Sequence, residues 1–154
     1  MYYLIITALI IILDQFTKYL IQTNMELLQS IPVWEGIFHL TYIQNFGAAF
    51  NILEGRQFLL IAVTMILNAA ILVYIYIKRK SSHWSLLLGL SFIAGGGIGN
   101  LINRITKGYV VDFIDFQIWP VFNISDIFVC TGCGLLFIYI FFFDSKNSKK
   151  DTIN

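Results

Sequence analysis

In a chain of which only 12% of the residues are charged, VVDFID at positions 110–115 sets Asp112 and Asp115 three residues apart among valine, phenylalanine and isoleucine. A third acid, Asp126, follows in FNISD at positions 122–126. Two carboxylates in contact in a poorly solvated site do not both ionise cheaply, so such a pair shares one proton. One member is then a base that activates water, and the other an acid that polarises a peptide carbonyl. Strand alternation sends Asp112 and Asp115 to opposite faces, so only one of them joins Asp126, and the pattern leaves open which. A helix beginning at Asp126 favours that residue's charged form. Taken singly, the three acids read as solvated loop residues.

What must position them is a membrane bundle. The 154 residues are 58% hydrophobic, and the mean hydropathy is +0.76, more apolar than a water-facing surface allows. Four stretches approach the roughly 20 residues needed to cross a hydrocarbon core. They predict spans near residues 4–22, 58–77, 84–103 and 126–143 of a single domain over 1–144, followed by a polar tail at 145–154. Met1 to Leu13 has no basic n-region and no cleavage site follows it, so the first stretch is expected to be a retained span.

Six of the ten basic residues (Lys78, Arg79, Lys80, Lys146, Lys149 and Lys150) fall on the side of the termini. By the positive-inside rule both termini are cytoplasmic, and Asp112, Asp115 and Asp126 face the outside. A net charge of +1 gives no footprint for a nucleic-acid partner. On the outer side, Phe38, Leu40 and Tyr42 alternate in GIFHLTYIQNFGAAF, and GYVVDFIDF is β-branched and aromatic after a glycine. Both suit short strands at the membrane surface that pair with each other.

Other polar groups sit within the spans. Asp14 and Lys18, four apart, share a helix face and read as an ion pair bracing helices, with outward snorkelling of Lys18 as the alternative. Gly95 and Gly99 make a close-packing face. Asn100 and Arg104 share a face that suits a carboxylate or a substrate carbonyl, or Arg104 snorkels outward. In NFGAAF, Asn45 and Gly47 form a turn or a backbone edge that aligns an extended peptide. Cys130 and Cys133 have the spacing of a redox pair or half a metal site, but no further cysteine accompanies them. His39 and His83 fall on opposite sides of the membrane, so the cysteines are expected to be buried small residues and no metal site is expected.

Taken in order across four spans, DQFTK (14–18), NFGAAF (45–50), GNLINR (99–104), VVDFIDF (110–116) and FNISD (122–126) resemble the motifs of the lipoprotein signal peptidase family, also called signal peptidase II. The resemblance implies a four-helix membrane bundle with a small extracytoplasmic β-cradle. It implies an aspartic endopeptidase of the bacterial cytoplasmic membrane, expected as a monomer among membrane lipids and without a cofactor. The implied reaction removes the signal peptide of prolipoproteins just before a diacylglyceryl-modified cysteine. Carried over residue by residue, the catalytic pair is Asp112 and Asp126, with Asp115 supportive. Asp14, Lys18, Asn45, Gly47, Asn100, Arg104 and Asn123 shape the site and hold substrate. The chain departs from the family pattern at Asn103, Ser125 and Ile127, where aspartate, alanine and serine are common. Loss of charge at 103 is expected to weaken a brace on Arg104 or another outer cation. Two other classes fit parts of the sequence. A small transporter would place its key acid in mid-span, and a thiol oxidoreductase would depend on Cys133.

Overall fold

The computed structural model describes residues 1–47 and 56–144. Four helices form the bundle: α1 (Tyr2–Asn24), α2 (Gln57–Lys78), α3 (Trp84–Lys107) and α4 (Ile124–Tyr139), the last running into a π-helical turn at Ile140–Asp144. Each is long and apolar enough to cross a membrane. They overrun the spans read from the sequence by up to four residues, because polar ends such as Thr106 and Lys107 still complete helical turns. The tail at 145–154 and the Ala48, Ala49 and Phe50 part of NFGAAF lie outside the described residues.

The helix at the centre is α3, whose span is 56% buried against 11% for that of α2 and 6% for that of α4. Its small residues let neighbours approach closely. A methyl group on Gly96 would collide with the backbone carbonyl of Ser125 in α4, so this pair of helices touches backbone to backbone. We expect Gly96→Ala to push α3 and α4 apart at a cost of about 1–3 kcal/mol. Thermal unfolding in detergent checks this, and an unchanged midpoint would mean that the contact adjusts freely. On α1 the buried residues Thr7, Ile10, Asp14, Lys18 and Ile21 recur every three or four positions, giving a single stripe that faces the bundle. The outer faces are apolar, as lipid contact requires.

Three strands close one end of the bundle: β1 (Ser30–Trp34), β2 (Phe38–Asn45) and β3 (Val110–Asp115). They form an antiparallel sheet in the order β1-β2-β3. The sequence marks β2 and β3 as strands. β1 is a further strand, exposed along its whole length. Gly108, at φ 81°, ends α3 in the left-handed region and turns the chain directly into β3. A small core of Ile21, Met25, Tyr42, Val111, Phe113 and Ile114 ties the end of α1 to the sheet.

Register decides which acid faces the bundle. β2 pairs with β3 through Ile43 opposite Asp112 and His39 opposite Asp115, with an irregularity between Leu40 and Ile43. Past β3 the chain loops back, and Phe122 pairs with Ile114 immediately before α4 begins. β3 therefore lies between β2 and the start of α4, with Asp112 near its middle.

Candidate active site

The site is assembled at the N-terminus of α4. Asn123 is the N-cap: its side-chain oxygen accepts from the Asp126 N–H at 3.1 Å, and Asp126 Oδ2 accepts from the Asn123 N–H at 3.1 Å. This reciprocal capping box satisfies two helix-end donors. It uses one face of Asn123 and leaves the amide nitrogen free to reach β3. There Nδ2 donates to Asp112 Oδ1 at 2.6 Å and to Asn100 Oδ1 at 3.1 Å. Asn123 is fully buried and joins both carboxylates.

Each carboxylate has a second amide partner. Asn45, at the end of β2, donates to Asp112 Oδ2 at 2.9 Å, and its own Oδ1 accepts from the Gly47 N–H at 2.9 Å. Asn100 of α3 donates to Asp126 Oδ1 at 2.8 Å. Its Oδ1 accepts from Lys18 Nζ at 2.7 Å, which fixes the orientation of the amide. Lys18 is 1% exposed and pairs with Asp14 Oδ2 at 2.9 Å. Asp14 Oδ1 in turn accepts from the Ser125 N–H at 2.9 Å. The α1 pair thus braces helices, as its spacing suggests, and Lys18 points inward rather than snorkelling.

Arg104 also faces the site. It donates through Nη2 to the Gly47 carbonyl at 3.0 Å, so it holds the chain just after β2 and not a carboxylate. Asp112, Asp126, Asn45, Asn100 and Arg104 line one open cavity of about 980 Å³. Its remaining wall is largely apolar, including Ile43, Phe122, Ile127 and Val129. A cavity of this kind takes an apolar ligand while a few polar groups orient it.

The structure places Asp115 elsewhere. Its Oδ2 accepts from Thr41 Oγ1 at 2.7 Å and its Oδ1 from the Gln117 N–H at 2.7 Å, a stitch between β2 and β3. Two expectations are corrected. Cys130 and Cys133 are free and exposed, because α4 turns Ser125 and Gly132, not its cysteines, toward the bundle. Asn103 does not brace Arg104. It donates to Gln15 Oε1 at 3.1 Å and accepts from the Val111 N–H at 3.2 Å. Gln15 was not singled out in the sequence, although a polar residue beside Asp14 inside a span was the available signal.

Burial pushes the Asp112 carboxyl up to about 6, with the neighbouring charge of Asp126 adding to the rise, against hydrogen bonds from Asn45 and Asn123 that oppose it. A carboxyl raised in the folded state favours folding while protonated, and loses that contribution as pH rises from about 4 through 6. Removing the ionisable group in Asp112→Asn should therefore shift stability relative to wild type progressively in its favour over that range. The shift is at most about 3 kcal/mol. Melting curves in detergent between pH 4 and 7.5 test the sign, and a difference that stays flat with pH contradicts it.

Four membrane-length helices bring buried Asp112 and half-buried Asp126 onto a shared amide at one end, an arrangement that suits a membrane aspartic peptidase. A family model described as signal peptidase (SPase) II matches residues 6–142. The lipoprotein signal peptidase of Halothermothrix orenii is 48% identical over 136 residues, 88% of this chain and 92% of that one. The lipoprotein signal peptidase of Brevibacillus brevis is 45% identical over 150 residues, 96% of this chain and 99% of that one. A solved bacterial membrane enzyme, determined by the in meso method at 2.3 Å resolution, superposes with a TM-score of 0.84 at 34% identity, covering 91% of this chain and 87% of its own. The chain belongs to the signal peptidase II family.

Proposed function

We propose that this peptidase removes the signal peptide of diacylglyceryl-modified bacterial prolipoproteins, cutting before the lipidated cysteine, with Asp112 and Asp126 as its catalytic pair. The observation that carries the assignment is Asn123, whose amide bonds Asp112 while its backbone N–H bonds Asp126. No other pair of acids among the described residues is joined in this way. The names of the relatives support the substrate class. The apolar wall of the cavity beside the carboxylates suits a lipid chain or an apolar signal helix arriving from the bilayer.

The two carboxylates together hold one proton. The ionised member takes a proton from a water molecule between them as its oxygen attacks the scissile carbonyl carbon. The protonated member gives its proton to the carbonyl oxygen, and a gem-diol forms. On collapse the protonated member gives its proton to the amide nitrogen while the ionised member takes one from a gem-diol hydroxyl, the C–N bond breaks, and the pair again holds one proton. Asn45, Asn100 and Asn123 hold the carboxylate planes, and Lys18 acts on Asp126 through Asn100. Gly47 and Arg104 shape the rim where extended substrate lies. Residues 1–144 act as one monomeric domain, with both termini cytoplasmic and the dyad on the extracytoplasmic side, as the basic-residue asymmetry supports.

The test is a gel-shift cleavage assay with the purified enzyme in detergent and a prolipoprotein offered with and without its diacylglyceryl group. The wild type is expected to cut only the lipidated form, and Cys133→Ala to cut it equally well. Equal cleavage of both forms removes the lipid from the recognition. Loss of cleavage in Cys133→Ala revives the thiol reading.

A further inference from the structure

The edge of β3 that faces away from β2 is held on both sides of Asp112. On one side the Phe113 N–H donates to the Phe122 carbonyl at 3.0 Å. On the other the Val111 N–H donates to Asn103 Oδ1 at 3.2 Å. The first clamp is backbone to backbone and needs no particular side chain. The second depends wholly on Asn103, which is fully buried.

The orientation of the Asn103 amide is forced from the far side. Gln15 Nε2 donates to Asp14 Oδ2 at 2.9 Å and to the Gly99 carbonyl at 2.9 Å. Both partners are acceptors, so only the amino end of Gln15 fits there, and its Oε1 must face Asn103. Oε1 then requires a donor, which is Asn103 Nδ2 at 3.1 Å. With its nitrogen committed, the oxygen of Asn103 is delivered to the Val111 N–H. The bonds run in one direction, from Val111 through Asn103 and Gln15 to Asp14 and Gly99, and none has its donor and acceptor reversed. The interior of the bundle thereby holds the Val110–Val111 peptide, one residue before Asp112.

Resting on the peptidase reading of Asp112, we propose that Asn103 is a positioning residue for the reaction: its side-chain oxygen sets the backbone of β3 so that the Asp112 carboxylate meets Asn45 and Asn123. The part that matters for chemistry is the oxygen, which asparagine and aspartate share. This explains how the chain keeps a competent site with a neutral residue where the family resemblance leads one to expect an acid. The part that matters for stability is the match with Gln15, which only the amide supplies. A misplacement of about 1 Å at a reacting group costs on the order of 100-fold in rate, so loss of one of the two clamps should show in turnover.

The test uses the full chain in detergent, the diacylglyceryl prolipoprotein as substrate, and rates normalised to folded enzyme. Asn103→Leu, which removes both bonds at similar volume, should lower kcat roughly 30-fold while KM stays within about twofold. Asn103→Asp, which keeps an oxygen on Val111 but sets another against Gln15 Oε1, should melt earlier yet retain kcat within about threefold of wild type. Unchanged kcat in Asn103→Leu, a loss confined to KM, or an equal loss of kcat in Asn103→Asp would each overturn the proposal. If Asn103→Leu gives no cooperative melt, Gln15→Met is used instead. It leaves Asn103 in place but frees its amide, and kcat should fall several-fold at constant KM, whereas an unchanged kcat overturns the idea. Failure of the peptidase reading itself would show separately, as no cleavage by wild type.

Discussion

Asp126→Asn should fold, insert and leave prolipoprotein uncut, with a rate lower by about 1,000-fold or more. The neutral amide keeps the shape of the carboxylate but cannot ionise, so the pair can no longer divide into an acid and a base. The structural cost is limited. Asp126 accepts one bond from the Asn123 N–H and one from Asn100, and an asparagine oxygen retains one of them. Loss of half a capping box costs about 0.5–2 kcal/mol, which a melting curve separates from the loss of turnover. The comparison that gives the result meaning is Asp115→Asn. Asp115 stitches Thr41 and the Gln117 N–H at the far end of β3, so its loss should lower the melting temperature and leave turnover within a small factor of wild type. A reversal, with Asp115 essential and Asp126 dispensable, would overturn the assignment of the dyad.

The largest effect on stability is expected from Lys18→Met. Asp14 is completely buried within α1, and its only cation among the described residues is Lys18 at 2.9 Å. Removing the ammonium strands a carboxylate in the interior of the bundle and deprives Asn100 Oδ1 of its strongest donor. Breaking a buried pair from one side costs about 3–5 kcal/mol, a large part of a protein's whole margin. The double variant Asp14→Asn with Lys18→Met should recover most of that loss, since neither residue then carries an uncompensated charge. Unfolding in detergent of the single and double variants closes the cycle. A double variant no better than the single one would show that the pair acts through separate contacts, Ser125 for Asp14 and Asn100 for Lys18.

The spans and the pair of acids were legible because each rests on a rule that holds without tertiary detail. Twenty apolar residues are long enough to cross, and carboxylates are too costly in this setting to occur without cause. Alternation says only that Asp112 and Asp115 diverge, and the family resemblance is what points to Asp112; the structure sets Asp112 opposite Ile43 and on the Asn123 amide, and Asp115 opposite His39. β1 escaped because it is exposed throughout, so its residues carry no pattern of burial. The cysteines misled for a reason particular to membranes. Apolar surroundings lie on both sides of α4, and a small apolar residue there is equally at home facing lipid or facing a helix. For Asn103 the residue was legible but its partners were not, since Gln15 and Val111 meet it only when α1, α3 and β3 come together.

The capping box at Asn123 and Asp126 makes one group serve two purposes. Here unwinding the first turn of α4 releases Asp126 from its cap, and with it opens the link that runs from Asp126 through Asn123 to Asp112. Order in this helix end and the link between the two carboxylates therefore rest on the same residue. Whatever stiffens or loosens that single turn acts on this link directly and, on the proposed assignment, dims the reaction with no separate signal to relay.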